Sequence, residues 1–483
     1  MRVCIVSATY VTQEPRVLRQ IRTFQERGWE VSVVGYPGHL PVPDSWDFHD
    51  MTIPAGWLPE PAAGVPALAA ASERMPEQPA EEPSAFIAET TSQNHSFLAK
   101  LPAFLYWRAV YPCIRRLHSV STGFARLLPK RLPNRTTSTS TPSLMEVLYE
   151  ADQPRDISSD EAHQVFFSAL QNRYFRDGLA SSVPPADLVV AHDYMTMPLA
   201  GQLAERMAAA LVIDIHEYAR EQYHFEPGSH GERYFDRVTR PMVEALHTEY
   251  LPKARALSAV CNGISRQLQI DHSLPQAPAV VRSTPFFSEQ PFRPTGDIVD
   301  VMYHGLVDSS RHLEVGIRSL PLWRPEFRFT IRGPGPQEYI SQLLSLAREL
   351  GVEDRVSIEP PVPFDEIVTT ANRADIGYLA FMNYSRQRQF ASPNKFFEYI
   401  MAGLALVVMD VPELAPTVRQ AGVGRLIEDF SPEAIAAAIN GFDRAGIDAA
   451  KQASLELARE LCWEREQEQM IAAYSLKEFE AAA

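Results

Sequence analysis

The stretch ADIGYLAFMNYSRQRQFASPNKFFEYIMAGLALVVMD, from Ala374 to Asp410, decides the fold of the second half of the chain. It opens with an apolar run typical of a buried strand. After a polar loop, Ser392 and Pro393 are predicted to be the N-cap and first residue of a helix. Apolar residues then recur at helical spacing to Gly403, a typical C-terminal stop, and Leu404 to Met409 is typical of a second buried strand. The stretch therefore predicts a strand–helix–strand unit of a parallel α/β sheet.

The start of this predicted helix is a candidate anion site. In an open α/β sheet such a crossover directs the helix N-terminus toward the crevice at the carboxyl ends of the strands, where unpaired backbone N–H groups favour an anion. Lys395 would lie in the first turn, where a cation opposes the helix dipole unless an anion binds beside it. We therefore predict that Ser392, Pro393, Asn394 and Lys395 bind a phosphate or diphosphate. The alternative is a surface lysine on a structural helix.

The same stretch resembles the nucleotide-sugar signature of the family-four glycosyltransferases, which have the two-domain GT-B fold. That signature has two glutamates eight residues apart, then an alanine, a glycine and an apolar strand; Glu398 occupies the second glutamate position and Phe390 the first. The resemblance implies that Glu398 accepts hydrogen bonds from the ribose hydroxyls of a nucleotide. The first glutamate normally contacts the transferred sugar, so Phe390 leaves the sugar and the activity open.

Composition and charge narrow the class of protein. With 483 residues the chain has room for two or three domains, and its net charge of -15 argues against a general nucleic-acid-binding protein. Its four cysteines contain no CxxC pair, so neither a zinc site nor a disulfide framework is indicated. The sequence shows neither a secretory signal nor a membrane-spanning stretch. We expect a cytoplasmic protein, with peripheral contact to the inner face of the plasma membrane as an open variant.

The remaining apolar runs predict an α/β fold class. Together with the resemblance they indicate a GT-B architecture, with two Rossmann-like parallel-sheet domains facing each other across a cleft. The N-terminal acceptor domain is predicted at 1–290, with an inserted helical or irregular region at about 40–160. The nucleotide-sugar donor domain is predicted at 296–464, and the resemblance implies that residues 465–483 pack back on the first domain.

The predicted insertion contains a basic, aromatic-rich segment at residues 95–135. No Asp or Glu occurs between residues 95 and 145, although the chain as a whole is acidic. Such segregation of charge beside aromatic residues favours contact with an anionic membrane surface or a lipid-linked acceptor. The alternative is a subdomain that packs its aromatic side chains inward and leaves its arginines in water.

Two polar pairs follow predicted strands of the first domain: His192 with Asp193, and His216 with Glu217. Open α/β sheets place their chemistry at the carboxyl ends of the strands, so we predict that both pairs border the cleft and are catalytic. The resemblance implies that His216 lies beside the donor sugar and the acceptor. A structural, hydrogen-bonded histidine is the alternative in each case.

The loop after the first predicted strand is the candidate acceptor site. Many members of the family place a pair of glycines there, whereas this chain carries side chains. We therefore predict that Gln13, Glu14 and Arg16 bind the acceptor. The alternative is a helix start with surface charges.

The resemblance implies further donor-binding residues in the second domain. Family members bind the diphosphate with an arginine that follows a glycine and with a lysine a few residues later. In this chain Leu306 replaces the arginine, and Arg311 occupies the position of the lysine. A glycine-rich turn lets the backbone approach a ligand closely, and a later loop is expected to bind the base. The predicted donor-binding residues outside the helix start are Gly305, Arg311, Arg332, Gly333, Gly335, Val362 and Glu398.

Donor binding is expected to need neither a metal nor a cofactor. The sequence contains no Asp-x-Asp pair, the usual means by which metal-dependent glycosyltransferases hold the donor diphosphate. His216, Glu217 and His224 do not have the HExxH spacing of a zinc helix. The diphosphate must then be neutralised by cationic side chains and helix ends.

These features predict a glycosyltransferase that moves a sugar from a nucleotide-diphosphate sugar to a cell-envelope or exopolysaccharide acceptor, with a lipid-linked acceptor as an open possibility. The resemblance implies retention of anomeric configuration, and an inverting enzyme with Glu217 or Asp193 as general base is an open variant. Phe390 and Leu306 favour another alternative, a catalytically silent scaffold of a polysaccharide assembly complex. A nucleotide-sugar epimerase with the same fold is the third.

Overall fold

The computed structural model describes residues 1–37, 41–51, 179–223, 232 and 235–482. Most of the predicted insertion at about 40–160, including the basic segment at 95–135, lies outside the described residues. So does His224. In the part of the chain that is described, no helix has the length and apolar character needed to cross a membrane.

The described strands form two separate parallel sheets. Those of the first sheet are β1 (Arg2–Tyr10), β2 (Glu30–Tyr36), β3 (Asp47–Asp50), β4 (Leu188–His192), β5 (Ala210–Ile215), β6 (Ala256–Ala259) and β7 (Ala279–Val280). Those of the second are β8 (Val299–His304), β9 (Phe327–Arg332), β10 (Val356–Glu359), β11 (Ile376–Leu379), β12 (Ala405–Met409) and β13 (Gly424–Ile427). The strand orders are β3-β2-β1-β4-β5-β6-β7 and β10-β9-β8-β11-β12-β13.

Helices connect the parallel strands. In the first domain the described α-helices are α1 (Pro15–Glu26), α2 (Leu179–Ser182), α3 (Met197–Met207), α4 (Arg240–Tyr250) and α5 (Asn262–Asp271). In the second domain they are α6 (Leu313–Ser319), α7 (Gln337–Glu349), α8 (Ile367–Ala371), α9 (Arg386–Gln389), α10 (Asn394–Met401), α11 (Ala415–Ala421), α12 (Pro432–Asn440) and α13 (Arg444–Leu457). Two more, α14 (Trp463–Ala473) and α15 (Leu476–Ala482), end the chain.

The two sheets confirm the predicted α/β fold class. All five residues of β12 are buried, as are all four of β11, because a parallel sheet covered by helices on both faces leaves its central strands without a solvent face. This is why their sequences are continuous apolar runs rather than alternating ones. In both sheets the order of strands reverses beside the first strand of the domain, β1 or β8, which is where open sheets place a ligand.

The last two helices return to the first domain. Trp463 is fully buried; its backbone N–H donates to the carbonyl of Pro285 (2.7 Å) and its indole Nε1–H to Thr23 Oγ1 (2.8 Å). Met470 and Tyr474 join the same apolar core, between α1 and the first sheet. The chain therefore passes twice between the domains.

Helix α10 begins later than the sequence predicts. Its first residue is Asn394, and Pro393 is the N-cap with extended backbone (φ -72°, ψ 145°) and no capping side chain. The prediction of Ser392 as N-cap and Pro393 as first helical residue is therefore wrong by one position, because Pro393 takes the extended conformation instead of opening the helix. The first N–H groups of α10 consequently have no side-chain cap.

Candidate functional site

A cleft of about 800 Å³ lies between the two sheets, at the carboxyl ends of their strands. Loops after β1 and β5 line it from the first domain, and loops after β8, β9 and β10 together with the start of α10 line it from the second. The predicted site residues that line it are Gln13, Glu14, Arg16, His216, Glu217, Gly305, Arg311, Arg332, Gly333, Val362, Ser392, Pro393, Asn394, Lys395 and Glu398. Three further predicted residues, His192, Asp193 and Gly335, do not line it.

Two glycine turns shape the donor side of the cleft. Gly305 and Gly333 have φ values of +127° and +151°, and a Cβ on Gly333 would lie 1.8 Å from the carbonyl oxygen of Gly305. Only glycine allows these two loops to touch by backbone. Gly335 has a different role from the predicted one: a Cβ there would lie 2.1 Å from the Val307 carbonyl oxygen, so Gly335 packs under the turn instead of facing a ligand.

Two cations that form no ion pair with the described residues lie beside the start of α10. The ammonium of Lys395 lies 4.2 Å from the ring centroid of Tyr303, and neither Lys395 nor Arg311 forms an ion pair with any described residue. Arg311 Nε is also buried without a hydrogen-bond partner in the described part of the chain. Burial and the charge of Arg311 lower the pKa of Lys395 to about 7. Repelling cations beside an uncapped helix start favour an anionic ligand.

Glu398 is a charged acceptor inside the same cleft. It is 7% exposed, and its Oε2 accepts a hydrogen bond from His304 Nε2 at 2.7 Å. Burial would raise its pKa, but the hydrogen bond and charge of His304 outweigh burial and lower it. Oε1 accepts no hydrogen bond from a described residue, which leaves it for ligand hydroxyls. His304 was not among the predicted site residues, although its position at the end of β8 was an available signal.

Arg16 serves the interior of the first domain. Its Nε and Nη2 donate to the two carboxylate oxygens of Asp214, each at 2.7 Å, and its Nη1 donates to the Val281 carbonyl at 2.7 Å. The side chain is 1% exposed. The prediction that Arg16 binds the acceptor does not fit this arrangement, because the side chain is buried and all three of its nitrogens already donate to groups of the first domain. Gln13 is exposed at the cleft, and Glu14 caps α1 by accepting from Arg16 N–H at 3.4 Å.

His216 is held as an imidazolium between two acids. Its Nδ1 lies 3.4 Å from Asp193 Oδ2, and its Nε2 lies 3.5 Å from Asp214 Oδ2 and 2.9 Å from His192 Nδ1. Burial disfavours the charged ring, but Asp193 and Asp214 outweigh it and raise the pKa of His216 to about 9. Both ring nitrogens are therefore protonated and engaged at neutral pH. His216 offers a positive charge to the cleft, without a lone pair to act as a base.

His192 and Asp193 position His216 from behind. His192 is 2% exposed, and burial together with the charge of His216 lowers its pKa to about 3, so it is neutral and accepts the His216 Nε2–H at Nδ1. Asp193 has a left-handed backbone (φ +61°) and its Oδ1 accepts the backbone N–H of His216 at 2.7 Å. Such strain in a non-glycine residue marks a position constrained by its surroundings. Neither residue reaches the cleft, contrary to the prediction.

Glu217 is the cleft carboxyl group that titrates near neutral pH. Burial and the negative charge of Asp193 raise its pKa to about 7. The side-chain amide of Gln387, from the second domain, donates to Glu217 Oε2. Among the residues predicted to be catalytic, Glu217 therefore has the pKa best suited to proton transfer.

One described cluster has the residue types of a metal site. Ligand atoms of His192, Asp214 and His216 lie within 4.8 Å of one another. The donor set does not suit a cation, however. Asp214 already accepts from Arg16 at both oxygens and from Gln20 and Ser258, and His216 is protonated. A metal ion would have to displace a buried guanidinium, so this cluster is an internal charge network.

Phe390 holds the two domains together. Its ring lies 5.7 Å from that of Tyr218, its carbonyl accepts from Cys261 Sγ at 3.2 Å, and a Cβ on Gly263 would lie 2.2 Å from its Cδ1. The first glutamate position of the signature is thus a contact to the first domain and does not face the cleft. Leu306 does line the cleft and is 42% exposed.

The match to a known family covers the second domain. Residues 299–442 match the family model described as glycosyl transferases group 1. The second domain is therefore a group 1 glycosyltransferase domain. No curated protein matches the sequence of this chain significantly.

Solved structures of the GT-B fold match this chain over nearly its whole length. Sucrose-phosphate synthase from Thermosynechococcus elongatus is 13% identical, with a TM-score of 0.58 over 100% of both chains. Anabaena Alr3699/HepE in complex with UDP and glucose is 11% identical, with a TM-score of 0.54 over 98% of this chain and 99% of that one. The lipopolysaccharide outer core galactosyltransferase WaaB is 11% identical, with a TM-score of 0.53 over 99% and 100%. At these identities the likeness shows the fold alone, and it agrees with the two-sheet architecture.

Proposed function

We propose that this glycosyltransferase transfers a sugar from a nucleotide-diphosphate sugar to a saccharide acceptor without using a metal ion. One observation carries the proposal: Lys395 and Arg311 face the cleft at the uncapped start of α10 without a carboxylate partner in the described chain. Charge-assisted bonds from such groups are strong enough to hold a diphosphate. Arg332 is not part of this set, because it is ion-paired with Glu359.

The remaining cleft residues give the donor an orientation. With its diphosphate at Lys395, the nucleotide would place its ribose hydroxyls at Glu398 Oε1 and its base toward the loop of Val362 after β10. The sugar would then lie toward His216 and Glu217 on the opposite wall. Lys395, Arg311 and the α10 N–H groups would stabilise the charge that develops on the leaving diphosphate, as preorganised donors do.

We further propose that the acceptor is a cell-envelope or exopolysaccharide, lipid-linked and reached at the cytoplasmic face of the membrane. The basic, aromatic-rich sequence at 95–135 supports this, as does the similar fold of a lipopolysaccharide galactosyltransferase. We also propose retention of anomeric configuration, with a diphosphate oxygen assisting removal of the acceptor proton. It is supported by His216, whose nitrogens are both engaged and cannot serve as a base.

Nucleotide release in the presence of EDTA tests the proposed reaction. We expect the purified chain to bind one of UDP, GDP or ADP, to release that nucleotide from the matching nucleotide sugars, and to keep its rate after metal is removed. Proton NMR of the product is expected to show the anomeric configuration of the donor. A rate that EDTA abolishes and Mn²⁺ restores would contradict metal independence, and an inverted product would make Glu217 the general base.

The substitution Glu398→Ala is expected to weaken nucleotide binding at least tenfold, because it removes a charged acceptor for the ribose hydroxyls. Isothermal titration calorimetry with the preferred nucleoside diphosphate measures this. Glu433→Ala is the matched control, since Glu433 is an exposed glutamate of α12 outside the cleft. A folded Glu398→Ala protein with unchanged affinity would show that Glu398 does not contact the nucleotide.

A further inference from the structure

Helix α9 bridges the cleft from the second domain to the first. Arg386 forms an ion pair with Glu221 at 2.8 Å, and its backbone N–H donates to the same carboxylate at 2.7 Å. The side chain of Gln387 accepts a hydrogen bond from the backbone N–H of Tyr218 at 2.5 Å, and the ring of Phe390 packs against Gly263. The chain on both sides of residue 388 is thus fixed to the opposite wall.

Arg388 projects from this fixed segment into the cleft. It lines the cleft, yet its guanidinium has neither a hydrogen bond nor an ion pair to any residue the structure describes. Its guanidinium carbon lies 5.8 Å from the centroid of the Tyr384 ring. Arg386, two residues earlier, is by comparison ion-paired with Glu221. An arginine that faces the cleft and forms no ion pair with the described residues is available to an anionic ligand.

Arg388 lies near charged groups on both walls of the cleft. Lys395, whose pKa burial and Arg311 lower to about 7, also experiences the positive charge of Arg388. So does Glu217 on the opposite wall, whose pKa burial and Asp193 raise to about 7. Arg388 therefore lies close enough to both groups to interact with the diphosphate end or with the sugar beyond it.

Position 306 leaves part of the cleft without positive charge. Leu306 is neutral and exposed in the cleft, so it supplies no charge to the donor. We propose that Arg388 binds an anionic group of the donor, either a diphosphate oxygen or a carboxylate on the transferred sugar. Helix α9 thereby supplies the positive charge that position 306 lacks. This inference rests on the proposed function.

Calorimetry with four ligands tests the inference on the full chain. The ligands are UDP, UMP, UDP-glucose and UDP-glucuronic acid, with the guanosine or adenosine series in their place if the wild-type chain prefers that base. The variants are Arg388→Gln and, as a matched control from the same helix, Arg386→Gln. Loss of the Arg386 contact to the first domain would weaken all ligands by a similar factor, whereas loss of a direct ligand contact is selective.

Two patterns support the proposal. If Arg388 binds the diphosphate, the substitution Arg388→Gln lowers the affinity for UDP about tenfold and leaves the affinity for UMP unchanged. If Arg388 binds a carboxylate on the sugar, only the affinity for UDP-glucuronic acid falls by that factor. Equal affinities of Arg388→Gln and wild type for all four ligands, or a uniform loss like that of Arg386→Gln, would overturn the proposal. A wild-type chain that binds no nucleoside diphosphate would instead overturn the proposed function, and the inference with it.

Discussion

Replacing Lys395 with methionine is expected to lower kcat/KM about a thousandfold. The ammonium lies at the first turn of α10 beside Gly305, and Arg311 is its cationic neighbour. Negative charge on the departing diphosphate grows as the glycosidic bond breaks, so this group stabilises the transition state more than the bound substrate. The loss should therefore fall mainly on kcat, with a smaller rise in KM.

Steady-state nucleotide release measures the effect, and Lys253→Met is the matched control. Lys253 is an exposed lysine of the first domain, paired with Glu249 on the surface. We expect that control to have wild-type kinetics. A Lys395→Met enzyme with kcat within threefold of wild type would show that the leaving group is stabilised elsewhere.

The lowered pKa of Lys395 also predicts how diphosphate affinity depends on pH. Below pH 7 the ammonium is already charged, so affinity for the diphosphate should be nearly constant. Above pH 7 the free enzyme loses that proton and binding must restore it, so affinity should fall by up to tenfold per pH unit. Glu217 becomes negatively charged over the same pH range, which should also lower the affinity for the diphosphate as the pH rises.

Calorimetry between pH 6.5 and 9 in buffers of different ionisation enthalpy measures both the affinity and the proton uptake. Lys395→Met should remove most of the proton uptake, and the part that remains in it belongs to Glu217. Constant wild-type affinity without proton uptake across this range would show that Lys395 keeps an ordinary pKa.

The fold could be predicted from the sequence because buried parallel strands have a local signature. Runs such as Leu404 to Met409 are apolar throughout, and the helices between them end at residues such as Gly403, whose φ is +69°. Both features depend on neighbours a few residues away in the sequence. The depth of a side chain below the cleft depends on residues far away in the sequence, and this is why some of the site predictions failed.

Arg16 and His192 show why the depth of a side chain below the cleft could not be predicted from the sequence. Arg16 is committed to Asp214, which lies 198 residues later in the sequence, and His192 is placed behind His216 by their adjacent strands. The sequence identified the correct edge of the sheet but not which polar residue faces the ligand. The pairing of Glu398 with His304, 94 residues apart, is equally non-local. Residues on the helix start of α10 line the cleft as expected, because a single local element places them all.

Replacing Asp214 with alanine is expected to lower the free energy of unfolding of the first domain by about 3–5 kcal/mol. The carboxylate is fully buried and accepts hydrogen bonds from Arg16, Gln20 and Ser258. Its removal leaves the Arg16 guanidinium buried without a counterion. Denaturation followed by tryptophan fluorescence measures the loss in this domain through the buried Trp29 and Trp463, provided that Trp323 of the second domain is first replaced by phenylalanine in both proteins.

Glu478→Ala is the control, because it breaks an ion pair with Arg255 in which both side chains are exposed. We expect this substitution to cost at most about 1 kcal/mol.

The stability of wild type and that of Asp214→Ala should also depend differently on pH. The Arg16 guanidinium outweighs burial and holds the pKa of Asp214 well below its usual range, so its stabilisation is present above the ordinary carboxyl pKa and is lost as the solution becomes more acid. Wild type and Asp214→Ala should therefore converge in stability in acid.

A double substitution separates the stability of the domain from the chemistry of the cleft. Arg16→Met with Asp214→Leu removes both buried charges and should recover much of the stability that Asp214→Ala loses, since an apolar pair of similar volume can replace a buried ion pair. It should not recover transfer activity, because Asp214 also helps to keep His216 protonated. A neutral His216 would present no positive charge to the sugar. Recovery of both properties in the double variant would mean that Asp214 acts on folding alone and that the charge of His216 is not needed for transfer.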